Sequence, residues 1–251
     1  MKALITGASS GIGRELARLL APTCSCLILT GRDARRLDAL KRELSVHPSL
    51  QVETVRADLS DREACIRLHD AHPDADLLVN NAGFGDFGPF WETSLDKELG
   101  MIDTNITALH ILTKLYLKDM VRRDSGQILN VASIAGFRPG PLMATYYATK
   151  AYVVRLSEGV RKELAARGSR VKISILCPGP VDTGFRQAAN ISFHFHGAEV
   201  RSIAEYTLAH LDRFYIVPGF PVRAARVLAS ALPSSLLSEA VFFLQSRRAK
   251  P

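Results

Sequence analysis

The 251-residue sequence contains no apolar run approaching the ~20 residues needed to cross a bilayer. It also has few cysteines. Cys24, Cys26, Cys65 and Cys177 are scattered at spacings that fit neither a disulfide framework nor a metal site, so free thiols in a reducing compartment are expected, and no metal. No repeat, low-complexity tract or linker interrupts the chain, and one domain over residues 1–251 is the expectation. A nucleic-acid partner is not expected. The net charge is +7, but its basic residues are spread through helical segments instead of forming an aromatic-interleaved stripe. That excess suits a phosphorylated cofactor, an acidic carrier protein or an anionic membrane as well as an ordinary solvated surface. The first apolar strand starts so close to Met1 that a signal peptide is not expected, which predicts a cytoplasmic protein.

The most informative segment is Thr6-Gly7-Ala8-Ser9-Ser10-Gly11-Ile12-Gly13. The apolar Ala3-Leu4-Ile5 before it reads as a buried parallel strand, and Arg14 to Leu20 after it has helical periodicity. Strand, glycine-rich turn and helix together make an anion site. Glycines let the backbone approach a phosphate, and the helix N-terminus aims free N–H groups at it.

Strand-like and helix-like segments alternate along the rest of the chain. Strands are expected near 2–6, 26–30, 51–56, 76–79, 127–132 and 171–177, with a shorter one at 215–217. Helices are expected over Gly13–Leu20, Asp33–Leu44, Asp61–Ala71, Lys97–Arg123, Thr145–Arg167 and about Ala198–Leu211. This alternation predicts an α/β fold, a doubly wound parallel sheet of the Rossmann type. Ligands in such sheets bind beyond the carboxyl ends of the strands, where every motif singled out here falls.

Asn80-Asn81-Ala82-Gly83 follows the strand Leu77-Leu78-Val79. Ser133 follows Ile128 to Ala132, and Tyr146 and Lys150 lie four apart on the next helix, hence on one face. With the glycine-rich turn and in this order, these residues resemble the short-chain dehydrogenase/reductase family over roughly residues 1–185. The resemblance implies an NAD(P)-dependent oxidoreductase with Asn105, Ser133, Tyr146 and Lys150 as its catalytic group. It implies a cofactor held by Gly7, Ser9, Ser10, Gly11, Ile12, Gly13, Arg32, Asp58, Leu59, Asn80, Ala82, Gly83, Pro178, Gly179, Val181 and Thr183, together with Tyr146 and Lys150. Ser133 would hold a substrate carbonyl, Tyr146 would exchange a proton with it, and Asn105 would hold a water linking Lys150 to solvent. A phenol of pKa ~10 is a poor acid or base near neutrality, and an adjacent ammonium favours its phenolate.

Cofactor choice is read from the tip of the second strand, Leu29-Thr30-Gly31-Arg32, where NAD sites usually present a carboxylate. Here Gly31 leaves room, and Arg32 suits a 2′-phosphate, so NADP(H) is favoured over NAD(H). The alternative is a solvated Arg32 and use of both cofactors. Asp33 reads as a helix N-cap. Asp58 matches the family's adenine contact, though a short carboxylate before a helix is equally a cap.

The expected function is NADPH-dependent reduction of a ketone or aldehyde, or oxidation of a secondary alcohol in reverse. The alternatives are a 3-oxoacyl-carrier-protein reductase and a non-catalytic NADP(H) sensor. The family resemblance also implies a homodimer or homotetramer. Residues about 184–212 match the family's substrate lid, and Phe185, Phe193 and Phe195 there favour an apolar substrate. His194 and His196 lack a third ligand. The tail, about 220–251, departs from the family. Arg223–Ala229 and Leu236–Leu244 read as two short amphipathic helices with a basic end, Arg247 to Lys250. They suit packing on the domain or a dimer mate, a roof over the substrate pocket, or contact with a membrane surface.

Overall fold

The computed structural model describes residues 1–185, 189–190, 197–224 and 233–248. Strands β1 (Lys2–Thr6), β2 (Cys26–Gly31), β3 (Gln51–Arg56), β4 (Leu77–Asn80), β5 (Gln127–Val131), β6 (Lys172–Leu176) and β7 (Tyr215–Ile216) form one sheet in the order β3-β2-β1-β4-β5-β6-β7. Every pairing is parallel; Leu4, for example, lies opposite Ile28 on one side and Leu78 on the other. Between the strands run α1 (Gly11–Leu20), α2 (Ala34–Leu44), α3 (Arg62–Ala71), α4 (Leu95–Ile102), α5 (Leu109–Arg123), α6 (Ala144–Arg167) and α7 (Val200–Ala209). Helix α8 (Ser234–Arg248) follows β7.

Strand alternation explains why the sheet is covered on both faces. Ile5, Leu29, Val79 and Leu129 point to the side of Leu16, Leu20, Leu37 and Leu40 on α1 and α2. Their neighbours Leu4, Ile28, Leu78 and Ile128 point to the side of Leu112, Tyr116 and Met120 on α5. All of these side chains are essentially inaccessible to water, as the near-continuous apolar strands of a doubly covered parallel sheet require.

The helix expected over Lys97–Arg123 is one rod in sequence but not in geometry. Between α4 and α5, Asp103–Ala108 winds as a π-helical turn. The Asn105 amide accounts for it: Oδ1 accepts from the Phe84 N–H at 3.0 Å, and Nδ2 donates to the Phe84 carbonyl at 2.9 Å. Local widening lets one side chain satisfy the backbone of the β4–α4 connection, a tertiary bond that periodicity does not register. In the tail, α8 is longer than the expected Leu236–Leu244. The first expected tail helix falls largely within 225–232, outside the described residues, as does the basic end at Ala249 and Lys250.

The order of the sheet reverses at β1, with β2 on one side and β4 on the other, which opens a crevice beyond their carboxyl ends. Thr6 clamps that crevice. Its buried hydroxyl accepts from the Asn81 and Ala82 N–H groups, each at 2.9 Å, and donates to the Val79 carbonyl at 3.3 Å.

Candidate active site

A cleft of about 760 Å³ lies along these carboxyl ends. Its first wall is the turn between β1 and α1. Gly7 and Gly11 adopt φ of +67° and +55°, a region open to glycine and rarely to other residues. A side chain at Gly7 would also meet the Ala82 backbone at 2.9 Å, and one at Gly13 would lie 2.6 Å from the Gly7 carbonyl oxygen. The turn is therefore pressed against both the chain leaving β4 and its own helix. Ser10, the N-cap of α1, makes no side-chain cap, which leaves the first N–H groups of the helix free to serve an anion. A glycine-lined cradle with free amides fits the diphosphate of a dinucleotide.

Ser9, Ser10, Gly11, Ile12, Arg32, Asp58, Leu59, Ala82, Gly83, Ser133, Tyr146, Lys150, Pro178, Gly179, Val181 and Thr183 all line the cleft with Gly7. Three expected residues do not. Gly13 is buried behind the turn as a packing glycine. Asn80 faces the interior, where its Nδ2 donates to Thr113 Oγ1 at 3.0 Å and Asn130 Oδ1 at 2.9 Å. The residue beside it faces the cleft instead: Asn81 Nδ2 donates to the carbonyls of Thr6 at 2.9 Å and Gly7 at 3.2 Å. Asn80 still belongs to β4 and obeys its alternation, whereas Asn81 has left the strand. Asn105 is behind the wall, and its amide is committed to Phe84 and to Thr149 Oγ1 at 3.1 Å.

At the tips of β2 and β3, Asp33 caps α2 as expected, accepting from the Arg36 N–H at 3.0 Å. Asp58 is not a helix cap; Asp61 caps α3. The Asp58 carboxylate accepts from the Ser60 N–H at 3.0 Å and its hydroxyl at 2.8 Å, and the first of these chiefly lowers its pKa. The Arg32 charge lowers it a little further. Arg36 joins Arg32 in lining this end of the cleft, a residue that sequence reading passed over.

On the other side, Ser133 follows β5 with its hydroxyl accepting from the Ala135 N–H at 3.1 Å, and α6 carries Tyr146 and Lys150. The Lys150 ammonium is buried, donates to the Val131 carbonyl at 2.9 Å and sits 5.8 Å from the centre of the Tyr146 ring. Loss of hydration depresses Lys150 to about 8. The same effect pushes the Tyr146 phenol up to about 12, partly offset by its hydrogen bond with Ser133. The group therefore holds a neutral phenol near neutral pH, beside an amine that charges and discharges close to it.

Gly136 lets the chain after Ser133 rest on α6: a Cβ there would meet the Lys150 carbonyl at 2.7 Å. Phe185 packs on Tyr146 with ring centres 5.2 Å apart. Two further residues lining the cleft were missed by sequence reading, Arg138 and Gln245. Gln245, on α8, donates to the Tyr147 hydroxyl at 3.0 Å. Nothing local in the sequence marks it, since the contact joins positions 98 apart.

Among the described residues no three His, Cys, Asp or Glu side chains are grouped to hold a metal, and no helix is long and apolar enough to cross a membrane. His194, His196, Phe193 and Phe195 lie outside the described residues.

Comparison with known proteins gives consistent matches. A sequence model described as short chain dehydrogenase matches residues 1–192. A probable NADP-dependent dehydrogenase of Haemophilus influenzae is 35% identical over 209 residues, covering 81% of this chain and 79% of that protein. A solved short-chain dehydrogenase from Sphingobium yanoikuyae in complex with NADPH superposes with a TM-score of 0.84 at 30% identity, covering 94% of each chain. A short-chain dehydrogenase/reductase from Burkholderia phymatum in complex with NAD superposes with a TM-score of 0.81 at 28% identity, covering 90% of this chain and 91% of that one.

Proposed function

The chain belongs to the short-chain dehydrogenase family of oxidoreductases, and on that premise we propose that it is an NADP(H)-dependent reductase of a ketone or aldehyde. The observation that carries this reading is the convergence of Ser133, Tyr146 and Lys150 on one wall of a cleft whose other wall is the glycine cradle. When bound there, the nicotinamide cofactor supplies or accepts the hydride.

Gly7, Gly11 and the first amides of α1 would hold its diphosphate, and Pro178, Gly179, Val181 and Thr183 would flank the nicotinamide end. The relatives do not decide the cofactor, since one is solved with NADPH and another with NAD. The case for NADP(H) rests on Arg32 at the tip of β2, with Arg36 of α2 beside it; Arg36 is paired with the Asp33 carboxylate at 3.2 Å, so Arg32 is the guanidinium offered to a 2′-phosphate.

Ser133 positions the substrate carbonyl, and Tyr146 donates its proton to the carbonyl oxygen. The raised pKa of the Tyr146 phenol keeps that proton in place until an oxygen of greater basicity develops. Lys150, near its own midpoint at pH 8, lowers the cost of the resulting phenolate by its charge and can replace the proton. Asn105 acts through the π-helical turn that it holds against Phe84. We read Phe185 as the start of the substrate lid and α8 as part of a roof, because Gln245 reaches the cleft. The exposed apolar side chains of Phe90, Trp91, Leu95 and Leu99 support self-association into a homo-oligomer.

The test is Tyr146→Phe. NADPH should still bind, measured by quenching of protein fluorescence, while carbonyl reduction should fall at least roughly 100-fold. Unchanged turnover would remove Tyr146 from its role.

A further inference from the structure

The substrate end of the cleft carries polar groups that the proposed reaction does not use. Arg138 Nε is buried without a hydrogen-bond partner, and so is Gln245 Oε1. Gln245 as a whole is only 8% exposed. Both residues line the same cleft as Tyr146, Tyr147 and Met143. Buried donors and acceptors are nearly always satisfied in folded proteins, and leaving one unmade costs about 1–3 kcal/mol, so two such atoms on residues that line one cleft would gain from a ligand seated against those residues.

The charge around them specifies what kind of ligand. The acidic side chains lining the cleft are Asp33 and Asp58, which follow β2 and β3, whereas Arg138 and Tyr147 follow β5 on the other side of the switch point. Among the described residues no carboxylate pairs with Arg138. A guanidinium held beside apolar walls without a counter-ion is a seat for an anion. Gln245 adapts to the same guest. A half-turn of its amide lets Oε1 accept the Tyr147 proton and frees Nε2 as a second donor.

We propose that the carbonyl substrate of this protein bears a carboxylate, and that Arg138 and Gln245 anchor it while Ser133 and Tyr146 engage the carbonyl. This rests on the reductase reading and narrows it: the substrate is an oxo acid with an apolar body, in keeping with Phe185 against Tyr146. It also gives α8 a task. A helix outside residues 1–192, the stretch the family's sequence model matches, then carries a residue that selects substrate.

The experiment compares 4-oxo-4-phenylbutanoate, 5-oxo-5-phenylpentanoate and 6-oxo-6-phenylhexanoate with their methyl esters. Turnover is followed by NADPH consumption, and binding to the NADPH-loaded protein by calorimetry. Wild type should prefer at least one acid over its ester in kcat/KM. Arg138→Leu should reduce that acid-over-ester ratio roughly 10–100-fold, chiefly through KM, as expected for loss of a charged hydrogen bond. Should Arg138→Leu fail to fold, Gln245→Glu, which keeps the volume and adds a repelling charge, should lower the same ratio at least tenfold.

Acid and ester reduced equally well, in wild type and variants alike, would overturn the anchor and leave the reductase reading intact. Acids that bind in an Arg138-dependent way without turnover would uphold the anchor and count against the reductase reading. Acids that neither bind nor react would overturn the proposal.

Discussion

Replacing Lys150 with Met in the cofactor-free protein should make it more stable at neutral pH, and the gain should fade as pH rises. Burial holds the Lys150 amine at about 8 against an ordinary 10.5. At about 1.4 kcal/mol for each pH unit, carrying that charge into the folded protein costs about 3 kcal/mol. Below pH 8 the amine is protonated in both folded and unfolded chains, and the whole cost is present. Between pH 8 and 10.5 the unfolded chain binds more protons than the folded one, so the stability of the wild type climbs with pH. Above that window both forms are neutral and the cost is gone.

Lys150→Met has no such titration. Its advantage in urea unfolding should therefore be about 2 kcal/mol larger at pH 7 than at pH 10, a range below the Tyr146 transition near 12. The Val131 carbonyl loses its donor in the variant, but that loss is independent of pH and cancels in the comparison. Parallel stability curves from pH 7 to 10 would refute the argument that desolvation sets the charge state of Lys150. Stability gained on removing Lys150 would be the signature of a strained functional site, as its proposed role requires.

Arg32→Glu, alone and with Arg36→Glu, should lower the NADPH-over-NADH ratio in binding roughly 10–100-fold, read from dissociation constants of both cofactors. Thr6→Val should strand the Asn81 and Ala82 N–H groups and cost about 2 kcal/mol, a fall of roughly 4–8 °C in melting temperature by calorimetry. Gly13→Ala should weaken NADPH binding at least tenfold with a smaller effect on Tyr146-dependent chemistry, because the added methyl drives the turn carbonyl of Gly7 out of place. Dissociation constants together with kcat at saturating NADPH separate the two effects.

The sheet was legible because its strands are short apolar runs bounded by glycine-rich turns, and a doubly covered parallel sheet has that pattern. The placing of Tyr146 and Lys150 on one wall of the cleft was legible because they are one helical turn apart, and helical spacing is a local property. Asn80 and Asn105, which do not line the cleft, share a cause. Asn80 and Asn81 are adjacent and identical in type, so only the point at which β4 ends decides which one faces the cleft. Asn105 was read for a water; its amide also bonds Phe84 and Thr149, contacts made only once the chain has folded. Arg36, Arg138 and Gln245 carry no motif. They reach the cleft because α2, the turn after β5 and α8 bring them there, and Gln245 is placed by a helix beyond residues 1–192, which the family's sequence model matches.

The most direct measurement is consumption of NADPH and NADH by the purified protein across carbonyl substrates from small diketones to steroids, 3-oxoacyl thioesters and oxo acids, with the alcohol product identified. Faster turnover with NADPH on at least one class is the predicted result. Failure to bind either nucleotide, or turnover with NADH alone, would contradict the account.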